Sequence, residues 1–153
     1  MSWSRIRSRV AASACAAACA CLLASGAGAV EVPNLEGFDD VFGRYAPGGD
    51  CARTPRIVVD RSGMRFEGLP GGDVKVTSVE YAASFGGNYY EGLTKWFFPF
   101  RNGNGYPIVM AFHADEKRGT LAIAPHDEGW QGGPPLAPRD KALVDGSPYA
   151  LCR

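Results

Sequence analysis

Alternating apolar and polar positions predict short β-strands through most of the chain after residue 42. Met64-Arg65-Phe66-Glu67 alternates, Ile57-Val58-Val59 is a β-branched run, and turns rich in Gly, Pro and Asn separate such segments. Val74–Val76 and Val79–Tyr81 alternate on opposite parity, so one extra residue near Thr77-Ser78 predicts a β-bulge. The predicted strands are 43–46, 57–59, 64–67, 74–76, 79–81, 93–100, 108–112, 120–124 and 149–151. We expect an all-β fold of about eight short strands, as a small antiparallel barrel or a sandwich.

Other segments predict the connections between these strands. Asn34 is a suitable N-cap for a short helical segment over 34–42, in which the apolar residues repeat at helical spacing. The two Asn-Gly pairs in 102–105 predict a hairpin turn. The segment 129–139 is rich in Gly and Pro and predicts a long loop, followed by a helical turn over 140–144.

One short stretch resembles the start of lipocalin-like barrels. The first strand of those proteins often begins with Gly-x-Trp or Gly-x-Tyr after a short helical piece that contains Phe-Asp. Here Phe38-Asp39 is followed by Gly43-Arg44-Tyr45. The resemblance spans these residues only. It implies a barrel, whereas strand alternation alone does not distinguish a barrel from a sandwich.

The first 29 residues predict a secretory signal peptide. Three arginines form a basic head, the run from Val10 to Ala24 carries no charge, and Ala27 and Ala29 suit a signal peptidase. We expect cleavage after Ala29, which leaves one domain over 30–153 and places it in the bacterial periplasm or outside the cell.

Two other interpretations of this leader are a membrane anchor and a lipoprotein signal. A membrane-spanning helix needs roughly 20 apolar residues, and the uncharged run is shorter. Cys15, Cys19 and Cys21 lie near the lipidation zone but have Ala, not Leu, three positions earlier. Both therefore rank below cleaved export, and no transmembrane segment is expected in the mature form.

Removal of the leader changes the charge and the cysteine count. It takes away three of the 16 basic residues and none of the 16 acidic ones, so a slightly acidic domain remains. Such a domain lacks the basic footprint of a nucleic-acid binder. Two of the five cysteines remain, Cys51 and Cys152, and in an exported chain they predict a disulfide rather than two separate thiols.

The sequence contains little catalytic chemistry and no motif that implies a cofactor. His113 lies near Asp115, and His126 is followed by Asp127 and Glu128. If their strands are neighbours, these groups could bind Zn²⁺ or provide a general base with an orienting carboxylate. The alternative is that each histidine ends a strand and faces water.

Aromatic residues are the other candidate functional groups. Trp96, Phe98 and Tyr106 belong to a dense aromatic set that could line a barrel interior, as a binding site for a flat or apolar ligand or as ordinary core. Phe97 falls on the opposite face of its strand and suggests a partner surface. Trp130, in the Gly- and Pro-rich loop, could be an exposed anchor, with Arg139 and Asp140 as polar contacts.

We therefore expect an exported, non-enzymatic binding module that holds a protein or a small apolar ligand in the cell envelope. An inhibitor of a host hydrolase such as lysozyme fits the size, the disulfide and the compartment, by analogy of architecture alone. The alternatives are a small hydrolase or metal-dependent enzyme built on His113 and His126, and a structural envelope protein.

Overall fold

The chain folds into one strongly curled sheet in a computed structural model that describes residues 29–85, 90–126 and 134–153. In these residues the strands are β1 (Val30–Pro33), β2 (Gly43–Pro47), β3 (Arg56–Asp60), β4 (Gly63–Glu67), β5 (Val74–Val76), β6 (Ser78–Ala82), β7 (Lys95–Phe98), β8 (Ile108–Phe112), β9 (Thr120–Pro125) and β10 (Tyr149–Leu151). One short helix, α1 (Pro138–Asp145), and the 3₁₀ turns Asp39–Val41 and Ala114–Glu116 complete the described elements. The leader before Ala29 and the predicted anchor Trp130 lie outside the described residues.

The ten described strands form a half-barrel in which all pairs are antiparallel. Their order is β1-β6-β7-β8-β9-β10-β2-β3-β4-β5. The predicted all-β fold is confirmed, and the strands form one sheet rather than the two sheets of a sandwich. At the position of the predicted bulge the structure has a break between two strands, where Thr77 alone separates β5 from β6. Because β5 pairs with β4 whereas β6 pairs with β1 and β7, the chain turns a corner at this residue.

The N-terminal segment differs from its prediction. A strand, β1, precedes it and pairs with β6, Val32 opposite Val79. Asn34 and Leu35 have φ angles of 58° and 42°, so Asn34 ends a strand in a left-handed turn and caps no helix. Only Asp39–Val41 is helical, as a 3₁₀ turn. The apolar spacing that resembles a helix reflects burial of separate side chains against the core.

Contacting aromatic rings occupy the inner side of the sheet. Tyr45 packs edge-on against Phe112 with ring centroids 5.3 Å apart, and Phe112 packs edge-on against Phe97 at 5.5 Å. None of these three side chains has exposed surface. Burial of such large rings supplies much of the apolar area that a short chain needs for stability.

Two tyrosine hydroxyls attach short segments to this core. Tyr45 Oη donates to the Val41 carbonyl at 3.0 Å, and Tyr149 Oη donates to the Leu143 carbonyl of α1 at 2.8 Å. Burial and the nearby charge of Asp40 raise the pKa of Tyr45 to about 12. Both hydroxyls therefore stay protonated donors at neutral pH, since burial also raises the pKa of Tyr149.

The predicted disulfide and hairpin are both present. Cys51 and Cys152 are bonded across a sequence separation of 101, with their Cα atoms 5.4 Å apart. A closed loop of this length stabilises a folded chain by about 4.7 kcal/mol in chain-entropy models. In the β7–β8 hairpin, Asn102 and Gly105 exchange backbone hydrogen bonds of 2.8 and 3.1 Å. Among the described residues, no helix has the length and apolar character that crossing a membrane requires.

Candidate functional site

The aromatic residues of β7 point to faces opposite to those predicted. Phe97 is fully buried in the core, whereas Trp96 and Phe98 lie on the outer face of the sheet. Phe100 reaches the core only because the strand ends at Phe98, and its ring lies 5.0 Å from Phe66. The prediction that Trp96 and Phe98 line a barrel interior, with Phe97 outside, is therefore wrong.

The two outward residues belong to a cluster of rings that we call the outer aromatic patch. Its members are Phe85, Trp96, Phe98, Tyr106 and His126. Phe98 is central, with ring centroids 4.8 Å from Tyr106 and 5.2 Å from His126. Phe85 covers the cluster: it stacks on Trp96 at 6.1 Å and is itself 43% exposed. The structure thus brings together Trp96, Phe98 and Tyr106, three of the predicted binding residues, but outside the sheet.

The strands around the patch carry small apolar residues on the same face. The register aligns Ala82 of β6 with Trp96, Trp96 with Ala111 of β8, and Ala111 with Ala122 of β9. On the outer face of an antiparallel sheet whose other face is core, such positions are usually polar. A contiguous apolar outer face is typical of a surface that contacts another molecule.

Polar groups lie along one border of the patch. Tyr106 Oη donates a hydrogen bond to Glu80, and this bond, with burial and the charge of Glu80, raises the pKa of Tyr106. Arg101 lies 3.4 Å from the same carboxylate and over the Tyr106 ring, 5.6 Å from its centroid. A rim of charge beside apolar rings is the usual composition of a protein interface.

His113 faces neither a substrate nor water, contrary to the two predictions for it, because its side chain is buried. Its side chain is 1% exposed, Nδ1 accepts the Gly119 N–H at 3.3 Å, and Nε2 lies 3.1 Å from Asp40 Oδ2. The ring proton therefore lies on Nε2 and is donated to Asp40. Lys95 forms an ion pair with the same carboxylate. Burial opposes ionisation of Asp40, but the hydrogen bonds from Lys95 and His113 outweigh it and lower the pKa of Asp40.

The predicted convergence of His113 and His126 is absent. His113 follows the last residue of β8 and its N–H donates to Thr120, the first residue of β9. His126 follows the last residue of β9, and its N–H donates to Pro107. Since the two strands are antiparallel, the histidines lie at opposite ends of the pair. In the described ranges, no three His, Cys, Asp or Glu side chains are grouped as metal ligands.

The remaining predicted residues are separate from the patch. Arg139 lies over the Phe100 ring, 3.8 Å from its centroid, and its Nε is 2.8 Å from Asp140 Oδ1. Asp140 is 2% exposed. The pair therefore holds the start of α1 against the core. Trp130, being outside the described residues, is not placed relative to either group.

Phe85 is the patch residue that sequence reasoning missed. It lies beyond the end of β6, in a segment that has no strand alternation and precedes a Gly-Gly pair. Only its aromatic character marks it, because no pattern in the sequence places its ring over Trp96.

Comparisons of the chain with protein-family models, with curated proteins and with solved structures gave no match.

Proposed function

We propose that this protein is an exported binding module that holds a partner protein of the cell envelope on its outer aromatic patch. The observation that carries the proposal is the exposed ring of Phe85, 43% accessible, stacked on Trp96 over an apolar sheet face. Large aromatic residues surrounded by small apolar ones and a charged rim are the usual energetic centre of protein interfaces. The leader and the Cys51–Cys152 disulfide support export to an oxidising compartment.

The geometry favours binding over hydrolysis. A general base needs a ring nitrogen that reaches substrate, and both ring nitrogens of His113 are engaged inside the protein. His126 is a strand length away, so among the residues that the structure describes the two histidines share no carboxylate.

The geometry also favours an external partner over an internal apolar ligand. The inner rings of Tyr45, Phe97 and Phe112 contact one another, whereas Phe85 and its neighbours offer apolar surface outside. A hydrolase of the lysozyme type is one candidate partner, by analogy with exported inhibitors of similar size.

We infer further that the curled sheet is a lipocalin-like barrel. The support is the corner at Thr77, which joins β5, at one end of the strand order, directly to β6, near the other. The stretch from Phe38-Asp39 to Gly43-Arg44-Tyr45 agrees with this, because it leads into β2 as the corresponding piece does in those barrels.

The test compares two serine variants of exposed apolar residues, in protein expressed from the full-length chain. Phe85→Ser removes the ring that covers the patch, whereas Leu151→Ser alters a similarly exposed residue, 38% accessible, on β10. Proteins captured from envelope extract are identified, and their affinity for each variant is measured with purified partner. We expect Phe85→Ser to weaken binding about tenfold or more, as loss of an aromatic anchor does, and Leu151→Ser to leave it unchanged.

Two results would overturn the proposal. One is a partner that binds the Phe85→Ser variant as tightly as the natural protein. The other is turnover of a substrate by the protein that is lost on mutation of His126. Inhibition of a purified lysozyme, lost in Phe85→Ser and kept in Leu151→Ser, would identify the class of partner.

A further inference from the structure

The outer face of β2 to β5 carries a row of cationic side chains that the proposed function does not use. The register places Arg44 of β2 opposite Val58 of β3, Val58 opposite Arg65 of β4, and Arg65 opposite Lys75 of β5. These positions alternate with buried ones, so their side chains leave the sheet on the side away from the core. Arg44, Arg65 and Lys75 are exposed. We call Arg44, Val58, Arg65 and Lys75 the basic row.

Neighbouring carboxylates neutralise this row only in part. Glu67 forms ion pairs with both Arg65, at 2.9 Å, and Arg56, at 3.2 Å. Arg44 and Lys75 form no ion pair within the part of the chain that the structure describes.

Asp60, the next acidic side chain on this face, is already occupied by Ser62. It accepts hydrogen bonds from the Ser62 N–H and hydroxyl at 2.7 and 2.6 Å. These bonds, followed by the more distant charges of Lys75 and Arg65, lower the pKa of Asp60. It therefore stays ionised without forming an ion pair with the basic row.

The segment that forms this face has a net charge opposite to that of the domain. Residues 43–76 contain six basic and four acidic residues, although the domain over 30–153 is acidic. Like charges directly opposite each other, as in Arg65 and Lys75, destabilise a strand pair. A local excess of one charge, kept at such a cost, is typical of a surface that attracts a ligand of the opposite charge.

We propose that the basic row binds an acidic polysaccharide, whose carboxylates pair with Arg44, Arg65 and Lys75. Adjacent strands lie about 4.8 Å apart, so Arg65 and Lys75 are one strand spacing apart, and Arg44 lies two spacings from Arg65 across Val58. Guanidinium groups bind carboxylates with two parallel hydrogen bonds. The row runs across the strands, in the direction in which the sheet curls, so its cations point in diverging directions.

This geometry selects among polyanions. A flexible chain can follow the diverging cations, whereas a flat lipid bilayer touches only part of a convex row. Single-stranded nucleic acid is bound by aromatic rings that stack on bases as well as by cations. Val58 is the one uncharged member of the row, and it carries no ring.

The test uses polygalacturonate as probe, dextran as its neutral control, and protein expressed from the full-length chain. We expect binding to polygalacturonate alone, weakening as salt rises. Lys75→Glu should reduce the affinity about tenfold, because it removes a cation and repels the ligand. Lys117→Glu makes the same change of net charge at an exposed position in the β8–β9 connection and should change the affinity less than about twofold.

The outcomes are distinguishable. Equal losses in Lys75→Glu and Lys117→Glu would show attraction to overall charge and overturn the proposal, as would tighter binding to anionic vesicles or to single-stranded oligonucleotide. A thermal melt of Lys75→Glu checks that it is folded, and Arg44→Gln provides a second variant if it is not. Phe85→Ser should leave polygalacturonate binding unchanged. The proposal that the outer aromatic patch binds a partner protein can therefore fail without affecting this one.

Discussion

His113 Nε2 lies 3.1 Å from Asp40 Oδ2, although the two residues are 73 positions apart in the chain. The contact joins the 3₁₀ turn Asp39–Val41 to the end of β8. It buries an imidazole completely while its second nitrogen accepts a backbone N–H. A buried ring with both nitrogens satisfied stabilises a fold mainly because removal leaves its partners unpaired.

We expect His113→Ala to lower the free energy of unfolding by about 2–3 kcal/mol, through the cavity and the lost hydrogen bonds. Urea denaturation measures the change. Lys117→Ala, in the same connection but exposed, should stay within about 0.5 kcal/mol of the natural protein. Equal losses in both variants would contradict a structural role of the imidazole.

The Asp40 carboxylate predicts a loss of stability in acid. Its pKa is lower in the folded than in the unfolded chain, so its contribution is complete above the unfolded pKa, about 3.9. The contribution is lost as the pH falls through the folded pKa. Urea midpoints between about pH 2 and 6 should therefore decline more steeply for the natural protein than for Asp40→Asn. Parallel curves would show that Asp40 titrates alike in both states.

Adjacent residues of β7 predict opposite effects on stability and binding. Phe97→Ala should lower the free energy of unfolding by about 3–5 kcal/mol, because Phe97 is fully buried. Trp96→Ala, on the outer face, should cost less than half as much and should weaken partner binding. Denaturation and affinity measurements on the two variants test the assignment of faces, and a larger loss of stability in Trp96→Ala would reverse it.

Alanine variants of two glycines with positive φ test how closely the strands pack at the Thr77 corner. Gly63 has φ 120°, and a Cβ there would collide with the Val76 carbonyl oxygen and lie 2.9 Å from Thr77 Cα. Gly71 has φ 89° but nothing within 4 Å of its Cβ position. Gly63→Ala should therefore lower the melting temperature well beyond the effect of Gly71→Ala, which carries only the backbone strain of about 1 kcal/mol. Similar melting temperatures would mean that the strands separate easily at the corner.

Local patterns were sufficient to predict most strands and the hairpin, since each depends on neighbouring residues. The disulfide was predictable because Cys51 and Cys152 are the two cysteines that remain after the predicted leader. The faces of β7 were not predictable. Trp96, Phe97 and Phe98 are consecutive aromatic residues, so no alternation of apolar and polar residues shows which of them face the core. The register with β8 determines which of these residues face the core, because it aligns Phe97 with Met110 of the core.

The candidate site was predictable in its composition but not in its position. Trp96, Phe98 and Tyr106 were identified by residue type, whereas no pattern in the sequence places Phe85 over Trp96. The separation of His113 and His126 could have been inferred, because residues that follow successive strands of a hairpin lie at its opposite ends.

The two proposed surfaces lie on different stretches of the sheet, β2 to β5 on one flank and β6 to β9 on the other, although Thr77 joins the two flanks along the chain. Arg44 and Lys75 lie on one flank, and Trp96 and Phe98 on the other. Under the two proposals above, so small a domain would connect a bound protein to a carbohydrate matrix.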